Sequence, residues 1–167
     1  MLKTTSQIKN YVMQTQLLYE KDFYAWIYHN IGLVRSKKWD EIDADLLIEE
    51  LESMAKRDRH ELVSHLAILI AHLLKWQFQY KQLSGIWQEF DGRSWKRSII
   101  EQRDQIESQL QMSPSLNPYF DDAIQKAYIR AVKIAVEETQ LPVKTFPKTC
   151  PYPIDQLLDN GFYPESE

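Results

Sequence analysis

Cysteine is almost missing from this chain: Cys150 is the only one in 167 residues. One thiol excludes an intrachain disulfide and a cysteine-built zinc cluster, and it suits a reducing compartment. Glycine is scarce as well, and four residues speak against a turn-rich all-β fold. Neither sign of charge dominates. A net charge of −4 gives no bulk signal for nucleic acid or an anionic membrane. Long apolar runs are absent too. The start, Met1-Leu2-Lys3-Thr4-Thr5-Ser6, has no secretory core. The longest strongly apolar run, Leu66 to Leu74, spans about 13 Å as a helix, whereas a bilayer takes about 20 residues. There is no Gly-rich phosphate loop, nucleotide fingerprint or Ser-centred elbow. The expectation is a cytoplasmic protein with no membrane span and no cofactor.

What is present reads as helix. The chain is 44% apolar and 12% aromatic, enough for a core in one domain of ordinary size. Residues 1–16 are polar and expected to be loosely held, and residues 17–164 are expected to form a single helical domain. Tyr19, Phe23, Trp26, Ile27 and Val34 recur at helical spacing from about Leu18 to Ser36. Asp43 can cap a second helix, which meets no Pro or Gly until past Tyr80. The patch Lys56-Arg57-Asp58-Arg59 is where that helix would bend. Residues 81–93, with Gly85 and Gly92, read as a loop, and Ser94 as the cap of a helix through Trp95, Ile99, Arg103, Ile106 and Leu110. Asn117-Pro118 reads as the start of the last long helix, with Ala127, Ala131 and Ala135 allowing close packing. Pro142, Pro147, Pro151 and Pro153 then enforce extended chain, and Pro153 can open one short turn, Ile154 to Leu158. The fold class is all-α: a single-domain bundle of four to five helices with an extended Pro-rich C-terminal arm.

The centre of that fold is His65-Leu66-Ala67-Ile68-Leu69-Ile70-Ala71-His72-Leu73-Leu74-Lys75-Trp76. A helix with almost no polar face belongs in a core, and its histidines need partners there. His72 is expected as a neutral core histidine bonded to a neighbouring helix, and Lys75 as a chain running along Trp76 toward water.

Several segments in order resemble a known family. They are Tyr19-Glu20-Lys21-Asp22-Phe23-Tyr24-Ala25-Trp26, Glu49-Glu50-Leu51-Glu52-Ser53-Met54 and His72-Leu73-Leu74-Lys75-Trp76, then Ser94-Trp95, Gln102-Arg103, Ser113-Pro114-Ser115-Leu116, and Phe146-Pro147 through Cys150-Pro151-Tyr152. As an ordered set over about residues 17–164, they resemble the bacterial, chiefly cyanobacterial, domain-of-unknown-function family 29. The resemblance implies a compact helical protein and brings no activity. Ala55 stands where that family often has a glycine, which removes one reason for a sharp break there.

Candidate sites follow from residue type and spacing. Metal ligands could come from His29, His60, His65, His72 and carboxylates. His65 and His72 are seven apart, about 10 Å along a helix, too far to share one ion easily. Glu61 and His65, four apart, could share one, or could simply be a surface hydrogen bond. Glu50, Glu52, His72 and Arg103 are the candidates for catalytic or ligand-binding chemistry. Glu50 and His72 would lie about 33 Å apart on a straight helix, so only a bend unites them. Arg103, in an otherwise apolar face, reads as a buried partner for Glu50 or Glu52. Cys150 could act as a nucleophile only with a base beside it, and its prolines read better as a packing arm.

Three functions remain, in this order. The first is contact with a protein partner or a second copy, through aromatics such as Trp39, Trp87, Phe90 and Phe162 in connectors and the tail. The second is an enzyme or ligand binder built on the Glu/His/Arg set. The third is single-stranded nucleic-acid binding by residues 75–103, where a local basic surplus of three interleaves with Trp76, Tyr80, Trp87 and Trp95.

Overall fold

The computed structural model describes residue 13 and residues 15–87 and 89–167. Among them the chain is all-α, with no strand. The loose order expected of residues 1–16 falls, apart from 13, 15 and 16, outside the described residues. The chain divides into two compact units, Met1–Ala55 and Lys56–Glu167.

In the first unit, helix α1 spans Phe23–Arg35. Asp22 starts it as the N-cap, its carboxylate accepting from the Ala25 N–H at 2.9 Å. Trp26, Asn30 and Leu33 form its buried face. Asn30 satisfies itself there by donating to the Trp26 carbonyl at 2.9 Å, and Tyr19 meets the Trp26 ring edge-on at 5.1 Å. Phe23 and Val34, which share the helical spacing, are exposed. The helix ends with Lys37 in the left-handed region at φ 54° and the Lys38 N–H on the Leu33 carbonyl. A short 3-10 turn, Trp39–Glu41, leads to Asp43. As expected, Asp43 caps the next helix, accepting from the Leu46 N–H at 3.2 Å.

That helix, α2, spans Ala44–Ile86 without interruption. Lys56, Arg57, Asp58 and Arg59 are exposed and stay helical, so their charges remain in water and supply no reason to break the ladder. The loop expected from residue 81 begins only after Ile86. Gly85 in the last turn costs about 1 kcal/mol against alanine, too little to stop a helix that is braced from outside. The brace is the tail. Ser166 Oγ accepts from the Lys81 N–H at 3.0 Å and donates to the Gln77 carbonyl, which also accepts from the Glu167 N–H at 2.8 Å.

In the second unit, α3 spans Arg93–Met112. It starts on Gly92 and Asp91, not on Ser94: Asp91 accepts from the Arg93 N–H at 3.0 Å. Gly92 sits at φ 68°, and a Cβ there would lie 2.8 Å from Tyr80 and 2.9 Å from Trp76 ring atoms. Glycine is therefore required both for conformation and for space. A 3-10 turn, Pro114–Tyr119, precedes α4, Phe120–Thr139. Asn117 closes that turn by donating to the Pro114 carbonyl at 2.9 Å, so it does not cap α4.

Ala123, Ala127, Ala131 and Ala135 of α4 are buried at four-residue intervals, a shallow stripe that admits a neighbouring helix closely. They share one core with Leu62, Leu66, Leu69, Ile70 and Leu73 of α2 and Ile99 and Ile106 of α3. Gln140 leaves α4 at φ 60°. The following segment carries the 3-10 turn Val143–Thr145 and the short helix α5, Ile154–Leu158. Phe146 meets Phe78 edge-on at 5.6 Å, and the Tyr152 hydroxyl donates to the Gln77 side-chain carbonyl at 2.8 Å.

Candidate functional site

The central stretch of α2 holds one polar cluster, and it is not the one expected. His72 is half-buried, and its Nδ1 lies 2.9 Å from the Ile68 carbonyl of its own helix. A carbonyl only accepts, so Nδ1 carries the proton and the neutral ring keeps its Nε2 lone pair. Burial holds the imidazole below its ordinary pKa, helped by the nearby Lys75 ammonium and opposed by the Ile68 carbonyl and Glu138. The core's real polar demand is Lys75. It does not reach water: it is 4% exposed, its Nζ is bonded and ion-paired to Glu138 of α4, and it lies 5.0 Å from the Trp95 ring centre. The carboxylate beside His72 and Lys75 is therefore Glu138, a residue the sequence reading did not single out. Sequence could have flagged Lys75 as the one cation inside an apolar helical run, but not its partner 63 positions away.

Arg103 is buried as expected, with different partners. Its Nε donates to the Leu157 carbonyl at 2.9 Å, and its Nη2 to the Gln156 and Phe162 carbonyls at 3.3 and 2.9 Å. The guanidinium thus pins α5 and the turn after it to α3, with the Tyr163 ring 5.8 Å away. Burial lowers its pKa from the ordinary arginine value, and carbonyl acceptors take the place of the expected carboxylate. In the first unit, Glu50 accepts a hydrogen bond from the Tyr19 hydroxyl, and Glu52 is exposed.

Glu61 and His65 do meet, at 3.7 Å. The other ring nitrogen of His65 bonds the Gln102 side-chain oxygen at 2.8 Å, so the neighbour is an amide and not a further ligand. Among the described residues no group of three or more His, Cys, Asp or Glu side chains is placed to hold a metal ion. No helix among them is long and apolar enough to cross a membrane.

The rings of residues 75–103 are used largely on one another. Trp76 stacks on Tyr80 at 4.3 Å, Phe90 meets Trp95 at 5.0 Å, and the Lys96 ammonium sits 5.4 Å from the Trp76 ring. A stacked ring with an internal cation over it offers no free face to a base. Trp87 is the ring left exposed there. Cys150 lines a groove of about 900 Å³ with Tyr128, Ile129, Lys148, Tyr152 and Ile154. Its thiol points back to the Tyr152 carbonyl at 3.6 Å, and burial raises its pKa. The Tyr128 hydroxyl beside it is pushed up to about 12 by burial and donates to the Pro147 carbonyl. Neither group is poised to attack or to take a proton near neutrality.

The most distinctive surface is apolar. Of the four connector aromatics, Trp39 and Trp87 are exposed, while Phe90 and Phe162 are half-buried. The stronger feature lies on the first turns of α2. Ile48, Leu51 and Met54 are 54%, 57% and 53% exposed, at three-residue spacing on one side of the helix. On α1, Tyr24 and Tyr28 are also exposed, their rings 4.8 Å apart. The signal for the α2 ridge was present in the sequence as a helical apolar pattern, but pattern alone does not distinguish a covered stripe from an open one.

The model of the family described as domain of unknown function DUF29 matches residues 18–163. No curated protein and no solved structure matches the chain.

Proposed function

We propose, from the premise that this chain belongs to the DUF29 family of uncharacterised domains, that it works by binding another protein surface and not by catalysis. The observation that carries this reading is the open ridge of Ile48, Leu51 and Met54 on α2. Three large side chains side by side in water are an unfavourable way to use a helix face unless something covers them. The buried polar groups support the same reading. Lys75 is tied to Glu138, and Arg103 to backbone carbonyls, so both serve packing. In this reading residues 140–153 act as an extended arm that locks the helices of the second unit. The lone free thiol fits a cytoplasmic setting.

The test is the double variant Ile48→Asp, Leu51→Asp. In dilute solution its helix content and unfolding midpoint match the parent, and its association with proteins and with a hydrophobic dye falls. Unfolding in dilute solution would show that the ridge packs within the monomer and would overturn the reading. Undiminished association would overturn it equally.

A further inference from the structure

We infer that the groove beside Cys150 binds a short apolar peptide with free ends, about three residues long, its ammonium at Asp121 and its carboxylate at Lys148. The site lies wholly within the second unit and is independent of the ridge on α2. Its volume of about 900 Å³ is that of a small-molecule site. One wall is α4, and the other is the segment of residues 148–154. Ile124, Tyr128 and Tyr152 line it from the core and are buried. Ile129 and Ile154 line it too, yet they are 75% and 37% exposed. The groove therefore presents apolar surface to whatever enters it.

The two charged groups of the lining differ in sign and in place. Asp121 lies in the first turn of α4. Tyr128 is seven residues on, about 10 Å further along the axis. Its hydroxyl donates to the Pro147 carbonyl, which puts the next residue, Lys148, at that end. Neither Asp121 nor Lys148 has a partner among the described residues, whereas the adjacent Asp122 is taken by Lys126. An occupant that meets both charges carries a cation and an anion about 10 Å apart, joined by an apolar body. Three extended residues span that distance at ~3.3 Å each. Gln125 and Thr149, on the facing walls, are exposed and also have no partner among the described residues. The N–H and C=O groups of a peptide can bond them, and a plain hydrocarbon chain cannot.

Both end charges stand in water, so each adds only a few-fold to affinity and fades with salt. Apolar contact along the groove supplies the rest. Binding is therefore weak, and it is selective for free ends. The Cys150 thiol, turned to the Tyr152 carbonyl, takes no part in it.

Isothermal titration calorimetry of the full chain with leucyl-alanyl-leucine tests this, with the helix content of each variant checked by circular dichroism. The parent binds the peptide, and maleimide labelling of Cys150 slows in its presence. Acetylating the peptide's amine or amidating its carboxylate weakens binding about fivefold each. Amidation costs nothing further in Lys148→Ala, and acetylation nothing further in Asp121→Asn. Ile129→Asp, at an exposed position, abolishes binding, and octanoate binds the parent more weakly than the peptide does. No binding at millimolar peptide, with labelling unchanged, overturns the site. Binding that survives Ile129→Asp places the ligand elsewhere and overturns it equally. Caps that cost the same in the variants as in the parent overturn the assignment of the two ends. Octanoate binding as tightly as the tripeptide overturns the peptide as occupant.

Discussion

The two parts of α2 differ in fate more than in pattern. From Ala44 to Glu61 the helix contributes no buried residue, whereas from Leu62 to Trp76 it contributes ten. Both parts carry leucine and isoleucine at helical spacing, and both are helical throughout. What differs is the cover. Leu66, Leu69 and Ile70 share a core with the alanine stripe of α4, Ile99 and Ile106 of α3 and Leu157 of α5. Ile48, Leu51 and Met54 have open water. Periodicity thus decides that a helix exists and which side is apolar, and tertiary cover decides whether that side becomes core or contact surface.

The sharpest way to break this contrast is a matched pair of truncations. Leu69→Ala should cost about 2–5 kcal/mol of unfolding free energy, and Leu51→Ala no more than about 0.5 kcal/mol in dilute protein, both read from urea denaturation. Equal costs would mean that the ridge packs in the monomer. Next in size is the cover over the second part. Arg103→Ala leaves the Leu157, Gln156 and Phe162 carbonyls without their donor and should cost about 3 kcal/mol, with earlier loss of protection of the α5 amides in hydrogen exchange. Arg103→Lys recovers only part, because an ammonium cannot reproduce the fork.

Lys75 gives a finer test of how the covered part tolerates charge. Glu138→Gln leaves an ammonium buried without its carboxylate and should cost about 1–2 kcal/mol, whereas Lys75→Met, which removes the charge with the volume kept, should stay within about 1 kcal/mol of the parent. The reverse order in thermal denaturation would show that the pair itself stabilises the fold. The smallest expected effect is from His72. Its pKa is lowered in the folded state, mainly by burial, so below about pH 6.5 the unfolded chain takes up the proton first. Stability is therefore full above that value and falls with acidification until the folded value is passed. His72→Gln should flatten that part of the stability–pH curve, and an unchanged curve would refute the assignment.

Much of the fold was legible because its signals are local. Asp43 caps α2, Pro153 opens α5, and the apolar run from Leu66 to Leu74 lies at the core. Other starts were misread where a good local signal lost to a better neighbour: Ser94 to Asp91 and Gly92, and Asn117 to the 3-10 turn it closes. The end of α2 was misread because the Ser166 and Glu167 brace comes from 85–90 positions away. The polar site was the least legible. A carbonyl socket such as that of Arg103 has no side-chain signature, since every residue carries the group that forms it. The Lys75–Glu138 pair depends on the register between α2 and α4, which neither helix encodes alone.

Cys150 has a practical consequence of a different kind. Its thiol is half-buried against the Tyr152 carbonyl, and burial keeps it protonated near neutrality. A thiol reagent consumes thiolate, which becomes plentiful at that position only when the surrounding segment lifts away. With a single cysteine in the chain, the rate of labelling under native conditions reports on one place alone. It is a clock for the opening of the segment around residue 150, and each labelled molecule records one excursion from the packed state.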